Sequence, residues 1–117
     1  MNKKSRWINR AVIVVRPGRP FIDWASRLDD EAPGQAHDLE KRVSVYLGGE
    51  DPEEKEETAP LEGYYKKIFE DQLGGWSLDK GDWPKDRTLA MFLQWFDVAR
   101  ESVVTDLESG PIVHEQA

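Results

Sequence analysis

The spacing of apolar positions changes several times along the chain, and each spacing predicts an element. Residues 11–15 read Ala-Val-Ile-Val-Val, a continuous, mostly β-branched run closed by Pro17-Gly18. Such a run predicts a central strand buried on both faces. Pro20 stands where a first helical turn tolerates proline, and Phe21, Trp24, Ala25 and Leu28 recur at helical spacing, so a short helix over 20–29 follows. Residues 29–40 mix acids with Pro33-Gly34 and predict a long loop. Val43, Val45 and Leu47 then alternate with Arg42, Ser44, Tyr46 and Gly48. That is the period of a half-buried strand, in which the apolar set faces the core, over 42–48.

After the acidic stretch 50–57, which predicts a solvated run, the pattern sharpens. Leu61, Tyr64, Tyr65, Ile68, Phe69 and Leu73 form one apolar stripe at helical spacing, and Gly74-Gly75 predicts its end. A loop containing Trp76 and Trp83 leads to Pro84 and to a helix carrying Leu89, Met91, Phe92, Leu93, Trp95 and Phe96. Being apolar on nearly all sides, that helix is expected at the centre, with Trp95 in the core. Val103-Val104-Thr105 favours a last strand over 100–107 against continuation of the helix. Residues 1–9 and 109–117 read as mobile ends.

The order β-α-β-α-α-β predicts an α+β fold, one compact domain over 1–117. It has a small sheet of about three strands with two to three helices packed on it. Parallel pairing of the first two strands would demand a right-handed crossover. Length agrees, because 117 residues suffice for one core and not for two. Apolar residues are 38% of the chain, and five tryptophans concentrate that hydrophobicity in large rings. No apolar run approaches the ~18 residues of a membrane span, and the short run behind the basic start is too brief for a secretory leader. With zero cysteines, the chain is expected in the cytoplasm, without disulfides, thiolate metal sites or iron–sulfur clusters.

Charge is unevenly placed. Residues 1–19 hold six Lys or Arg and no acid, whereas residues 20–117 carry ten basic against 23 acidic residues. An acidic body of this kind repels nucleic acid and anionic lipid and attracts a basic protein. Catalytic chemistry finds little to use. His37 and His114 fall in a loop and a tail, where no third group locks a catalytic base. His37, Asp38 and Glu40 crowd three potential ligands into one loop, an unspecific pattern. Asp79-Lys80-Gly81-Asp82 lacks the later glutamate of a calcium loop. We therefore expect no catalytic residue, metal or cofactor.

Two candidate surfaces remain. Trp76 and Trp83, with Arg87 as a fork for a carboxylate, suit a groove that stacks a small ligand or grips a peptide, unless the rings are simply core and helix-end packing. Glu53, Glu54, Glu56 and Glu57 form an acidic patch suited to a basic protein, unless they are a plain solvated run.

The segment Trp83-Pro84-Lys85-Asp86-Arg87, followed by residues 91–98 (Met-Phe-Leu-Gln-Trp-Phe-Asp-Val), resembles small uncharacterised bacterial proteins carrying Trp-Pro-x-x-Arg and Met-Phe-x-x-Trp-Phe. Residues 8–14 and 20–24 are similar to the same group. The resemblance implies a bacterial, stand-alone domain and no particular activity. The expected function is that of a non-enzymatic cytoplasmic protein acting through a protein partner, itself a monomer or weak homodimer. A small-molecule binder or enzyme at the segment 76–87 is the competing expectation.

Overall fold

The structure is a computed structural model that describes residues 6–28, 38–39, 41–49 and 59–115. Most of the expected loop 29–40, namely residues 29–37 with His37 and residue 40, and the acidic residues 50–57, including Glu53, Glu54, Glu56 and Glu57, lie outside the described residues.

The fold is α+β, a three-stranded antiparallel sheet with three helices. The β-branched run forms strand β2 (Ala11–Pro17), which lies between β3 (Ser44–Gly48) and β4 (Phe96–Glu101). Both neighbours run antiparallel to β2, so the crossover rule for parallel pairs does not arise. Helix α1 (Arg19–Leu28) follows β2 directly and buries Phe21, Ile22, Trp24 and Ala25. Helix α2 (Tyr65–Trp76) is preceded by a 3-10 turn at Ala59–Gly63 and buries Ile68, Phe69, Gln72 and Leu73. Helix α3 (Leu89–Trp95) starts at Thr88, whose hydroxyl accepts the Met91 amide at 3.1 Å.

The core fills one side of the sheet. Ala11, Ile13 and Val15 of β2 are 1 to 2% exposed there, under Phe21, Phe69, Phe92 and Phe96. Phe96 makes ring contacts with Phe21 at 5.0 Å, Phe92 at 5.2 Å and Phe69 at 5.4 Å, an aromatic cluster in the favourable distance range.

Four expectations need correction. Strand β2 is not buried on both faces, because the described helices cover one side only and Val12 and Val14 remain half-buried on the other. The phase of β3 is opposite to the alternation: Ser44, Tyr46 and Gly48 sit opposite Val15, Ile13 and Ala11 on the core side. Val43, Val45 and Leu47 are consequently 46%, 59% and 51% exposed, the outcome expected when a strand's pairing is displaced by one residue. Helix α2 does not end at Gly74-Gly75 but continues to Trp76, closed by the Ser77 amide donating to the Leu73 carbonyl at 2.9 Å. Helix α3 has seven residues and buries only Phe92 fully, with Leu93 40% exposed and Trp95 half-buried against the core.

The last strand begins earlier than its sequence suggests. Phe96 caps α3 in an extended conformation (φ −135°, ψ 148°) and starts β4 with no intervening turn. Gly18 makes this junction possible: its amide donates to the Trp95 carbonyl at 2.8 Å, an approach with no room for a Cβ. The segment 105–106 belongs to a separate two-stranded ribbon, in which β1 (Arg6–Trp7) pairs antiparallel with β5 (Thr105–Asp106). Trp7 is 72% exposed on it, so the ribbon is held by backbone pairing and not by a buried anchor.

Candidate functional site

The aromatic segment singled out from the sequence is tied inward at its polar ends. Trp76 Nε1 donates to the Ala25 carbonyl at 3.1 Å, joining the end of α2 to α1. Trp83 Nε1 donates to the Ser77 carbonyl at 3.0 Å, and Trp24 Nε1 to the Asp82 carbonyl at 2.9 Å. The Arg87 fork is divided between the Pro84 carbonyl and Glu70 Oε2, each at 2.9 Å, and its guanidinium lies 5.6 Å from the Trp83 ring centre. The Lys80 ammonium approaches the same ring at 5.8 Å. Trp76, Trp83 and Arg87 thus belong to one neighbourhood, a strut binding the loop to α1 and α2 through the indole donors and the two terminal nitrogens of Arg87, whose Nε is buried without a hydrogen-bond partner.

A second constellation lies between β3 and α2. Gln72, 9% exposed, uses its amide group twice: Nε2 donates to Ser44 Oγ at 2.9 Å and to the Tyr46 hydroxyl at 2.8 Å. Tyr46 in turn donates to Asp71 Oδ2 at 2.6 Å. Burial first, and the Asp71 hydrogen bond second, push the Tyr46 phenol up to about 12. At neutral pH it is therefore a protonated donor and not a base or nucleophile. Tyr64, just ahead of α2, accepts the Gly49 amide at 2.9 Å, and its ring lies 3.1 Å from where a Cβ on Gly48 would sit. A side chain at Gly48 would thus press on the Tyr64 ring and on Ile13, 3.2 Å away.

Beside this network runs a cleft of about 330 Å³ lined by Tyr46, Leu47, Tyr64, Lys67, Ile68 and Asp71. Side chains of successive strand residues point to opposite faces, so Tyr46 and Leu47 can line one cavity only if it lies off the edge of β3. The other wall is a helical stripe, since Lys67 and Ile68 stand three and four residues after Tyr64, and Asp71 four and three residues after them. The cleft therefore runs along a strand edge, between β3 and α2. Sequence reasoning missed these residues, though Gln72 offered a signal: it stands four residues after Ile68 and three after Phe69, a polar side chain inside the apolar stripe.

The far face of the sheet is the third feature. Val12 pairs with Leu47 and Val14 with Val45, which places four aliphatic side chains side by side there. On the β4 side they are flanked by Glu101, Ala99 and Asp97, opposite Val12, Val14 and Arg16. His114 is exposed, and among the described residues no group of three His, Cys, Asp or Glu could hold a metal. No described helix is long and apolar enough to cross a membrane. No family model matches the chain, and no curated protein or solved structure matches it either.

Proposed function

We propose that this chain is a non-enzymatic cytoplasmic protein that acts through a protein partner, docked on the open face of its sheet. The observation that carries the reading is the aliphatic patch of Val12, Val14, Val45 and Leu47 on the side away from the helices. An antiparallel sheet usually presents polar side chains on an uncovered face, and a contiguous exposed apolar patch marks an interaction surface. Residues 1–5, 29–37, 40, 50–58 and 116–117, outside the described residues, contain no large apolar side chain besides Met1, which favours a second molecule as the cover.

Charge supports a basic one. Asp97 and Glu101 border the patch, and residues 20–117 hold ten basic against 23 acidic residues. The partner presents an apolar stripe flanked by Lys or Arg, which is steered by charge and held by burial.

The test is affinity capture with the wild-type chain, with a Val45→Lys/Leu47→Lys variant, and with Glu53, Glu54, Glu56 and Glu57 reversed to Lys. The face variant should fold, since both side chains are about half exposed, and should lose a protein that the wild type retains. Raised salt and the four reversals should weaken capture, because exposed charges beyond about 8 to 10 Å are screened at physiological salt. Identical capture by all three baits would refute the reading.

A further inference from the structure

We propose that the cleft along β3 is a second binding site, which takes an extended peptide carrying a Lys or Arg side chain as a fourth strand of the sheet. The inference is carried by a different observation from the open face, a strand edge beside a helix, although Leu47 belongs to both surfaces.

Three observations lead there. Among the described residues β3 is an edge strand, with β2 on one side and no strand on the other. Edge strands are ordinarily protected by charges or prolines, because their unpaired amides and carbonyls invite another chain. The opposite edge has such protection, since β4 carries Asp97, Arg100 and Glu101. Strand β3 reads Ser-Val-Tyr-Leu-Gly and has none.

The edge is not bare, however, because α2 stands beside it and the two enclose the cleft. A chain lying there would meet backbone partners on one side and a helical wall on the other, the arrangement by which sheets accept peptide strands. Its backbone would pair with β3, while alternate side chains entered the space between the Tyr46 and Tyr64 rings.

The charges of the wall choose the side chain. Lys67 and Asp71 stand one helical turn apart and form no ion pair with each other among the described residues. Tyr46 occupies Asp71 Oδ2, which leaves Oδ1 to receive an ammonium or guanidinium whose aliphatic stem packs on the tyrosine rings. An acidic side chain at the same position would meet a carboxylate already fixed by the Tyr46 hydrogen bond. Lys67, at the other end of the wall, is placed for a peptide carbonyl or terminal carboxylate.

The experiment uses three blocked hexapeptides titrated into isotopically labelled protein and followed by amide NMR. One has the sequence Thr-Val-Lys-Val-Thr-Val, the second has Glu in place of Lys, and the third is the Lys peptide prepared in two forms, N-methylated at its odd or at its even residues. The Lys peptide should shift amides of residues 44–49 and 64–71, and should protect only the alternate β3 amides that point away from β2. It should bind about tenfold more tightly than the Glu peptide, as expected for a charge-assisted contact. N-methylation in one of the two alternating frames should abolish binding. Asp71→Asn should remove the preference for Lys while leaving backbone pairing, so a simple loss of fold is distinguishable. Val12→Thr, on the open face, should leave all three affinities unchanged even where it weakens capture of the protein partner. Failure of every peptide to bind, equal affinity for Lys and Glu, or survival of binding after N-methylation in both frames would overturn the proposal.

Discussion

Replacing Phe69 by alanine should be among the most damaging single changes to this fold. Phe69 is 0% exposed, and its ring lies 5.8 Å from Phe92, 5.6 Å from Trp95 and 5.4 Å from Phe96, the last edge-on at 89°. Truncating a buried phenylalanine costs about 3 to 5 kcal/mol through lost transfer energy and the cavity left behind. Each well-placed ring pair adds about 0.5 to 1.5 kcal/mol beyond area, so three such pairs put Phe69→Ala in the upper half, at about 4 to 5 kcal/mol. Domains of this size are stable by about 5 to 15 kcal/mol, which leaves the variant near its limit. Trp95 supplies the comparison: it meets Phe21 at 6.3 Å, Trp24 at 6.2 Å and Phe69, but it is only half-buried. Because part of the ring already sees water, Trp95→Ala should cost less, about 2 to 3 kcal/mol. Urea titration read by circular dichroism measures both. With a slope near ~2 kcal/mol per molar, Phe69→Ala should move the midpoint down by about 2 M. A loss under about 2 kcal/mol, or a greater loss for Trp95→Ala, would refute the ranking. If Phe69→Ala does not fold, Phe69→Leu should still show a loss of about 1 to 2 kcal/mol.

Two glycines should respond with opposite signs. A Cβ at Gly18 would sit 2.8 Å from the Trp95 carbonyl oxygen and 3.1 Å from its carbon, so Gly18→Ala should cost about 1 to 3 kcal/mol or more. Gly75 lies within α2 and has nothing within 4 Å, so Gly75→Ala should stabilise by about 0.5 to 1 kcal/mol; thermal melts that shift in the same direction would contradict this. The phenol of Tyr46 is raised from 10.0 to about 12, so the folded state favours its neutral form. Its contribution is fully present below pH 10 and is lost as pH rises from about 10 to 12. Unfolding free energies measured across that window should fall more steeply in the wild type than in Tyr46→Phe, and parallel curves would refute the shift.

Where the sequence was legible, each element's own burial set its pattern. The β2 run and the stripes of α1 and α2 were read in place because each puts large apolar side chains into the core that they themselves build, Ile13 and Val15 from β2, Phe21 and Trp24 from α1, Phe69 and Leu73 from α2. Elements whose limits depend on distant partners were not. Nothing local marks the change from helix to strand at Phe96, since its apolar ring falls at helical spacing and no glycine or proline separates Trp95 from it. The break is set by Gly18 across the sheet and by pairing of Pro17 with Phe96. The β1–β5 ribbon pairs two residues with two, too few for any period.

The inverted phase of β3 has a cause that also joins the two proposed surfaces. Alternation reports which residues of a strand are more apolar, but the facing element decides which set turns inward. Here α2 presents Gln72 to the sheet, and a buried amide without partners costs about 1 to 3 kcal/mol. Ser44 and Tyr46 supply those partners only by turning toward the helix, and by alternation Gly48 shares their face, where a Cβ would lie 3.1 Å from the Tyr64 ring. Once that phase is set, Val45 and Leu47 face outward and complete the aliphatic patch with Val12 and Val14. The same network holds Asp71 at the edge cleft through Tyr46. One polar residue in a helical stripe thus fixes the phase of β3, exposes its apolar side to a partner, and positions the carboxylate that would select a basic strand.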